Sequence, residues 1–377
     1  LWDALLARAA ADRRPIAAYE SLLIAGLMRG DSAVLSQLLE RMVVEPGGER
    51  WRFLLLEHYT YRHDWVQAEQ VWKEFLEGDE DKTQALFYSV GYLAVLRRVG
   101  QTEEADEILE RLNALHMDEP GELRRIAQTF ESAGLWDEAA EYWRRILITS
   151  EPPQAGWLEA AEHYLRHVKN TSRWQVAAAL AQIDVVNSQV NTLQISSYAP
   201  WFALRKHFSL SFFQALVHLA SGEEGQARRL LDQSVTHIMG DGVLADDFFP
   251  ILRREGYTEL HDHYFEICYG RMLESISAFP KAHNTHNSAA WLASRANRRL
   301  DEAEQHSATA LRMRPRQAAY LDTMAEVWFA RRDREKAIEW STRSMRDSQH
   351  GGHSREGGGA ELRAQHDRFL TGDFPEP

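Results

Sequence analysis

The sequence predicts an all-α fold, an α-solenoid of stacked helix-turn-helix repeats, and three observations lead there. Small residues recur at a fixed step: Val34 to Ala68, Ala105 to Ala139 and Ala303 to Ala337 are each 34 residues apart, while Ala68 to Ala105 is 37. Apolar residues within each segment follow helical spacing, as in Ile126, Ala127 and Phe130. The length of 377 residues exceeds what one compact core usually needs, and an elongated array accounts for it.

Taken in order, the segments share one grammar. "LEHYTYRHDWVQAEQVWKEFL" carries Tyr59, Ala68 and Trp72, and "VGYLAVLRRVGQTEEADEILERL" carries Gly100 and Ala105. "ESAGLWDEAAEYWRRIL" places Gly134 in a turn, Ala139 in the following helix and Trp143 one turn on, with Pro152 closing the segment. Near the end, "NSAAWLASRANRRLDEAEQHSATALRMRP" closes on Pro315 but carries one extra residue before "LDEA". "YLDTMAEVWFARRDREKAIEW" then supplies Leu321, Met324, Ala325, Trp328 and Ala337. Small residues such as Ala127 and Ala139 belong where two antiparallel helices approach closely, since a larger side chain there would push them apart.

This pattern resembles the tetratricopeptide repeat family over about residues 15–150 and 284–346. The resemblance implies a right-handed solenoid of about nine helical hairpins, of the type found in bacterial multi-repeat proteins. Four regions are expected: N-terminal repeats over 1–150, a divergent helical region over 151–280, C-terminal repeats over 281–346, and a Gly-rich linker with a short capping helix over 347–377. Between the regular stretches, "WLEAAEHYLRHVKNTSRWQVAAALAQI" and "FFQALVHLASGEEGQARRLLDQS" still read as hairpins, the latter with Gly222 and Ala227. "MGDGVLADDFFPILRREG" reads as a loop entering a helix.

The resemblance also implies a function, protein–protein interaction: a scaffold or adaptor that takes a peptide or helix of a partner on the concave face formed by the first helix of each hairpin. Aligned to the family pattern, Glu57, Tyr61, Arg97, Arg124, Gln128, Glu131, Asn287, Trp291, Asp322 and Glu326 fall on that face. Each polar one reads equally as an ordinary solvated helix face, and Trp291 as either an anchor for a partner or a ring packed under the next hairpin. The alternative function is a regulatory or sensory region of a larger bacterial enzyme or signalling protein whose catalytic domain lies upstream. The start at Leu1 in mid-helix favours a fragment, and leaves a signal peptide or upstream domain open. The cytoplasm is the favoured compartment.

Composition narrows the classes. A formal charge of −13 opposes general nucleic-acid binding, which needs Lys and Arg against phosphates. The single Cys268 leaves no internal disulfide and no Cys-rich zinc site. "APWFALRKHFSLSFFQALVHLA" is interrupted by Arg205, Lys206 and His207, so no membrane span is expected. No phosphate loop or nucleophile elbow occurs, so neither an enzyme nor a cofactor is expected. His261 and His263, with Glu266, His283 and His286, are of metal-ligating types, but residues two apart on a helix diverge, and core or solvated roles are favoured. The aromatics Tyr198, Trp201, Phe202, Phe208, Phe212 and Phe213 read as core before they read as a membrane or partner patch. "RMRPRQ" and Arg331, Arg332 and Arg334 make the last repeats locally basic, which favours an acidic partner or a plain charged face. Self-association through terminal hairpins, or through residues 347–377 filling the groove, fits an array of this kind.

Overall fold

The computed structural model describes residues 2–29, 32–61, 64–78, 82–114, 119–132, 135–151, 155–191, 199–238, 240, 242–350 and 358–375. These residues form two compact units, Leu1–Arg173 and Trp174–Pro377. Among the described residues every regular element is helical. The first unit holds α1 (Trp2–Ala10), α2 (Pro15–Arg29), α3 (Ser32–Val44), α4 (Arg52–Tyr61), α5 (Trp65–Gly78), α6 (Lys82–Val99), α7 (Thr102–Ala114), α8 (Pro120–Ser132), α9 (Trp136–Thr149) and α10 (Ala155–Asn170). The second holds α11 (Trp174–Asn191), α12 (Ala199–Ala220), α13 (Glu224–Val235), α14 (Phe249–Arg254), α15 (Thr258–Ala278), α16 (His283–Ala296), α17 (Leu300–Met313), α18 (Ala318–Ala330), α19 (Arg334–His350) and α20 (Gly358–Thr371). A π-helical stretch, Leu244–Phe248, runs directly into α14.

α8 and α9 show why these segments fold as hairpins. Leu123, Ile126, Ala127 and Phe130 line one face of α8 at helical spacing and are buried, leaving Glu122, Arg125 and Gln128 outward. Ala139, Ala140, Tyr142, Trp143 and Ile146 form the buried face of α9, and Asp137 and Glu138 in its first turn favour the positive end of the helix dipole. The two faces close on each other, with Phe130 and Tyr142 stacked at 5.3 Å.

Among the described residues one turn motif recurs at the end of eight first helices. The backbone N–H reaching back five residues, which closes a helix C-terminus, appears as Asp64 to Tyr59, Gln101 to Leu96, Leu135 to Phe130, Arg173 to Val168, Glu223 to His218, Tyr257 to Leu252, Arg298 to Ala293 and Asp333 to Trp328. A left-handed residue serves most of these turns: Gly100, Gly222 and Gly256, and without glycine Ser172, Asn297 and Arg332. The extra residue before "LDEA" is absorbed by a second left-handed residue, Arg299 at φ 52°. Ala290, which is completely buried, sits at the close approach on α16. Gly134 lies outside the described residues.

Four residues after each turn closure, or five at Ala303, comes the small slot of the second helix. Ala68, Ala105, Ala139, Ala177, Ala227, Ala303 and Ala337 occupy it, each at most 1% exposed. The eighth occupant is His261, 34 residues after Ala227 and 1% exposed. Twelve residues before it on the first helix stands Phe249, where other hairpins carry Ala127, Ala215 or Ala325. The two rings meet edge to face at 5.3 Å. A ring pair thus replaces two alanines, and the π-helical turn ahead of α14 supplies a local change of helix pitch next to it. "MGDGVLADDFFPILRREG", expected as a loop entering a helix, is therefore mostly the first helix of a hairpin.

The aromatic group divides. Phe208, Phe212 and Phe213 are core, the first two packed on Phe248 and Phe213 on Phe212, whereas Trp201 and Phe202 are 43% and 53% exposed. Tyr198 lies outside the described residues. Trp72 fits over Gly91 so closely that a Cβ there would come within 2.0 Å of the indole.

Two predictions follow from this packing. In an open helix Gly→Ala gains about 1 kcal/mol, but at Gly91 the collision with Trp72 outweighs it, and Gly91→Ala should lower stability by about 1–3 kcal/mol in urea unfolding. Burial pushes the His261 imidazole below its usual range, against the raising influence of Asp262. Since its folded pKa is depressed, the stability it contributes is present above the unfolded value of 6.5 and is lost as pH falls through the folded value. Urea midpoints measured from pH 7.5 to 5 should fall in the wild type, and fall less in His261→Ala.

Candidate functional site

The polar sides of α8 and α10, and of α16 and α18, meet, and there the structure joins several of the expected residues into ladders, whereas Arg97 pairs with second helices. In the first unit, Arg97 of α6 reaches Asp106 of α7 at 3.0 Å and Glu138 of α9 at 3.7 Å. Arg124 and Gln128 of α8 both donate to Glu159 of α10, at 3.3 and 3.0 Å. Glu131 accepts from the buried Trp143 indole at 3.1 Å and hydrogen-bonds His163 of α10 at 2.9 Å. The His163 ring lies stacked on Trp143 at 4.5 Å. Glu57 and Tyr61 belong to α4, and their side chains lie outside the described residues.

Beside this strip, Trp136, 41% exposed, carries the Arg166 guanidinium over its ring at 5.1 Å, and His167 meets Asp137 at 3.2 Å. The cavity they line with Glu131 and Trp143 is about 20 Å³, room for a single water. A cavity of this size does not hold a small-molecule ligand.

In the second unit the ladder is more buried. Trp291 of α16 donates its indole N–H to Asp246 at 2.8 Å, and the Arg295 guanidinium lies 5.7 Å from the ring centre. Burial pushes the Asp246 carboxyl up, and the Trp291 bond opposes this. Trp291 is therefore half-buried and held within its own chain. Arg295 reaches Glu326 of α18 at 3.3 Å, and Arg253 donates to the Arg295 carbonyl at 3.1 Å. Asn287 sits one turn before Trp291, with its side-chain oxygen buried and without a hydrogen-bond partner.

Glu326 departs from the expectation of a solvent-facing residue, being 2% exposed. The reason is α20, whose Arg368 pairs with the carboxylate and whose Gln365 donates to it at 2.5 Å. Asp322, one turn earlier on α18, contributes its negative charge near Arg368. Nothing in the local sequence of α18 signals this cover, because Arg368 lies 42 residues away.

Cys268 is buried, and its thiol is pushed up to about 12 by that burial, which keeps it protonated and unreactive at neutral pH. His263 is exposed, while His286 is buried against His306 at 3.0 Å. Among the described residues no group of three or more His, Cys, Asp and Glu is placed to hold a metal ion. No described helix is long and apolar enough to cross a membrane.

No family model matches the chain, and no curated protein matches it. Among solved structures it is similar to a tetratricopeptide repeat protein from Parabacteroides merdae, at 13% identity and TM-score 0.32, covering 88% of this chain and 99% of that one. A second similarity is to the APC/C hetero-tetramer Cut9-Hcn1, at 14% identity and TM-score 0.31, covering 95% and 72%. A third is to the TPR2AB-domain:pHSP90-complex of yeast Sti1, at 11% identity and TM-score 0.27, covering 67% and 98%. Scores this low add nothing to the all-α repeat fold, which rests on the hairpins and their turns.

The two ladders differ in burial, and this fixes how they respond to mutation. Glu159→Ala removes an exposed acceptor and should cost at most about 1 kcal/mol. Glu326→Ala strands Arg295 and Arg368 and should cost about 3 kcal/mol. Urea denaturation of the two variants measures the difference.

Proposed function

We propose that this chain is a protein-interaction scaffold whose first-helix faces take a segment of a partner protein or peptide, with no bond made or broken. The observation that carries this reading is the polar strip of α8 and α10. Arg124, Gln128, Glu131, Glu159 and His163 are drawn from two consecutive hairpins into one surface at hydrogen-bonding distances. The Arg124–Glu159 pair is 48% and 30% exposed, so its groups are open to exchange with a ligand's. Weak, solvated pairs of this sort are cheap to trade for a partner's charges or amides, whereas the same residues locked in a core would not be. Trp136 beside the strip supplies an aromatic surface of the kind that anchors interfaces.

The absence of a sizeable closed cavity here favours an extended segment or a helix as ligand. Binding through exchange of existing pairs gives modest affinity and a marked dependence on salt. A net charge of −13 favours a partner whose contacting segment carries basic and amide groups to meet Glu131, Asp137 and Glu159.

Affinity capture from native lysate with the intact chain and with Gln128→Ala/Glu159→Lys, which reverses the charge offered to a basic segment, tests this. The expected result is a partner retained by the first, lost by the second and released by raised salt, with helical circular dichroism unchanged. Equal retention by both proteins would remove α8 from the binding surface.

A further inference from the structure

Two histidines of α10 stand inside the polar strip one helical turn apart, each against a carboxylate of a neighbouring helix. His163 meets Glu131 of α8 at 2.9 Å through Nδ1, with its ring stacked on Trp143 at 4.5 Å. His167 meets Asp137 of α9 at 3.2 Å, again through Nδ1. An ionised carboxylate only accepts, so Nδ1 carries the hydrogen in both rings and Nε2 is the atom at which a proton is gained or lost. Both histidine side chains are partly exposed. Between them on α10, Arg166 lies over Trp136, and all these groups line the same small cavity.

We propose that His163 and His167 govern the strip's hold on a basic segment of a partner protein, which binds while both rings are neutral and is released when they take up protons. Histidine is the side chain that makes this change between pH 5 and 8. The charges facing the two rings are Arg124 and Glu131 from α8, Asp137 from α9, and Glu159 and Arg166 from α10 itself. Arg124 and Glu159 pair with each other. Glu131 and Asp137 against Arg166 then leave one net negative charge with neutral histidines, and one net positive charge once both carry a proton. Protonation acts in a second way as well. It turns the bonds to Glu131 and Asp137 into charge-assisted ones, so neither carboxylate is free to trade its histidine for a ligand's cation. The occupant is rich in Lys or Arg because Asp137 is largely exposed as an acceptor, and because a guanidinium can lie on the exposed ring of Trp136.

This inference rests on the scaffold reading and adds the regulation of its strip. Capture by Gln128→Ala/Glu159→Lys at a single pH reads the scaffold, whereas the dependence on pH reads the histidines, so the two fail separately.

The probe is a short fluorescein-labelled peptide of alternating Arg and Gln, whose own charge is constant over the range used, titrated by anisotropy into the full chain at low salt. Between pH 7.5 and 5.5 the wild type should lose at least about tenfold in affinity, the effect of two surface charges gained. His163→Gln/His167→Gln, with helical circular dichroism unchanged, should lose no more than about threefold. Asp137→Asn should bind more weakly than the wild type at pH 7.5. A wild type that does not bind the peptide at pH 7.5, or holds it equally at pH 5.5, overturns the proposal. So does a histidine variant that loses as much as the wild type, or an Asp137→Asn variant that loses nothing. Linkage gives a second measurement in the unmutated chain. If protons expel the peptide, the peptide opposes the protons, so saturating peptide should move the NMR titration of the His163 and His167 rings to lower pH; midpoints that stay in place overturn the proposal as well.

Discussion

The whole structure depends on how closely two helices of a hairpin can approach. A side chain of one methyl at Ala68, Ala105, Ala139, Ala227, Ala303 and Ala337 lets the second helix lie against the first, and each of these residues is at most 1% exposed. The turn that precedes each slot is closed by the same backbone bond across five residues, so slot and turn are fixed together. With that distance set, larger residues one turn away fill the remaining space, Phe130 against Tyr142 within the hairpin and Trp143 against His163 of the next. A chain built this way adds units by repeating a local rule, and needs few contacts between distant residues.

Much of this rule was legible in the residues. The alanine step and the helical spacing of Ile126, Ala127 and Phe130 mark the hairpins because they report on local packing, which a sequence window contains. The middle was harder for a physical reason: Phe249 and His261 satisfy the same crossing with two rings, so the small-residue signal is absent although the step from Ala227 to His261 is still 34. The resemblance placed Arg124, Gln128, Trp291 and Glu326 on the first-helix side, and the structure sets their side chains in ladders there. It gave no hint that Glu326 is covered, because the cover comes from Arg368 and Phe369 at the far end of the chain. Burial of a residue by a distant element leaves no trace in its own neighbourhood.

α8 is tied to α10, and α16 to α18, through side chains on the faces proposed to take a ligand, so under that proposal occupancy and hairpin spacing are coupled at these positions. Where the pairs are exposed, as between Arg124 and Glu159, exchange with a partner is inexpensive. Where they are buried, as around Glu326, the carboxylate must always be matched by a cation, and the protein carries its own in Arg295 and Arg368.

The most direct test of this account is a double-mutant cycle between Arg295 and Glu326, read by urea unfolding of the wild type, Arg295→Met, Glu326→Gln and the double variant. If the buried ladder joins α16 to α18, the two changes are coupled by at least about 1.5 kcal/mol. Additive effects, with coupling below about 0.5 kcal/mol, would contradict it.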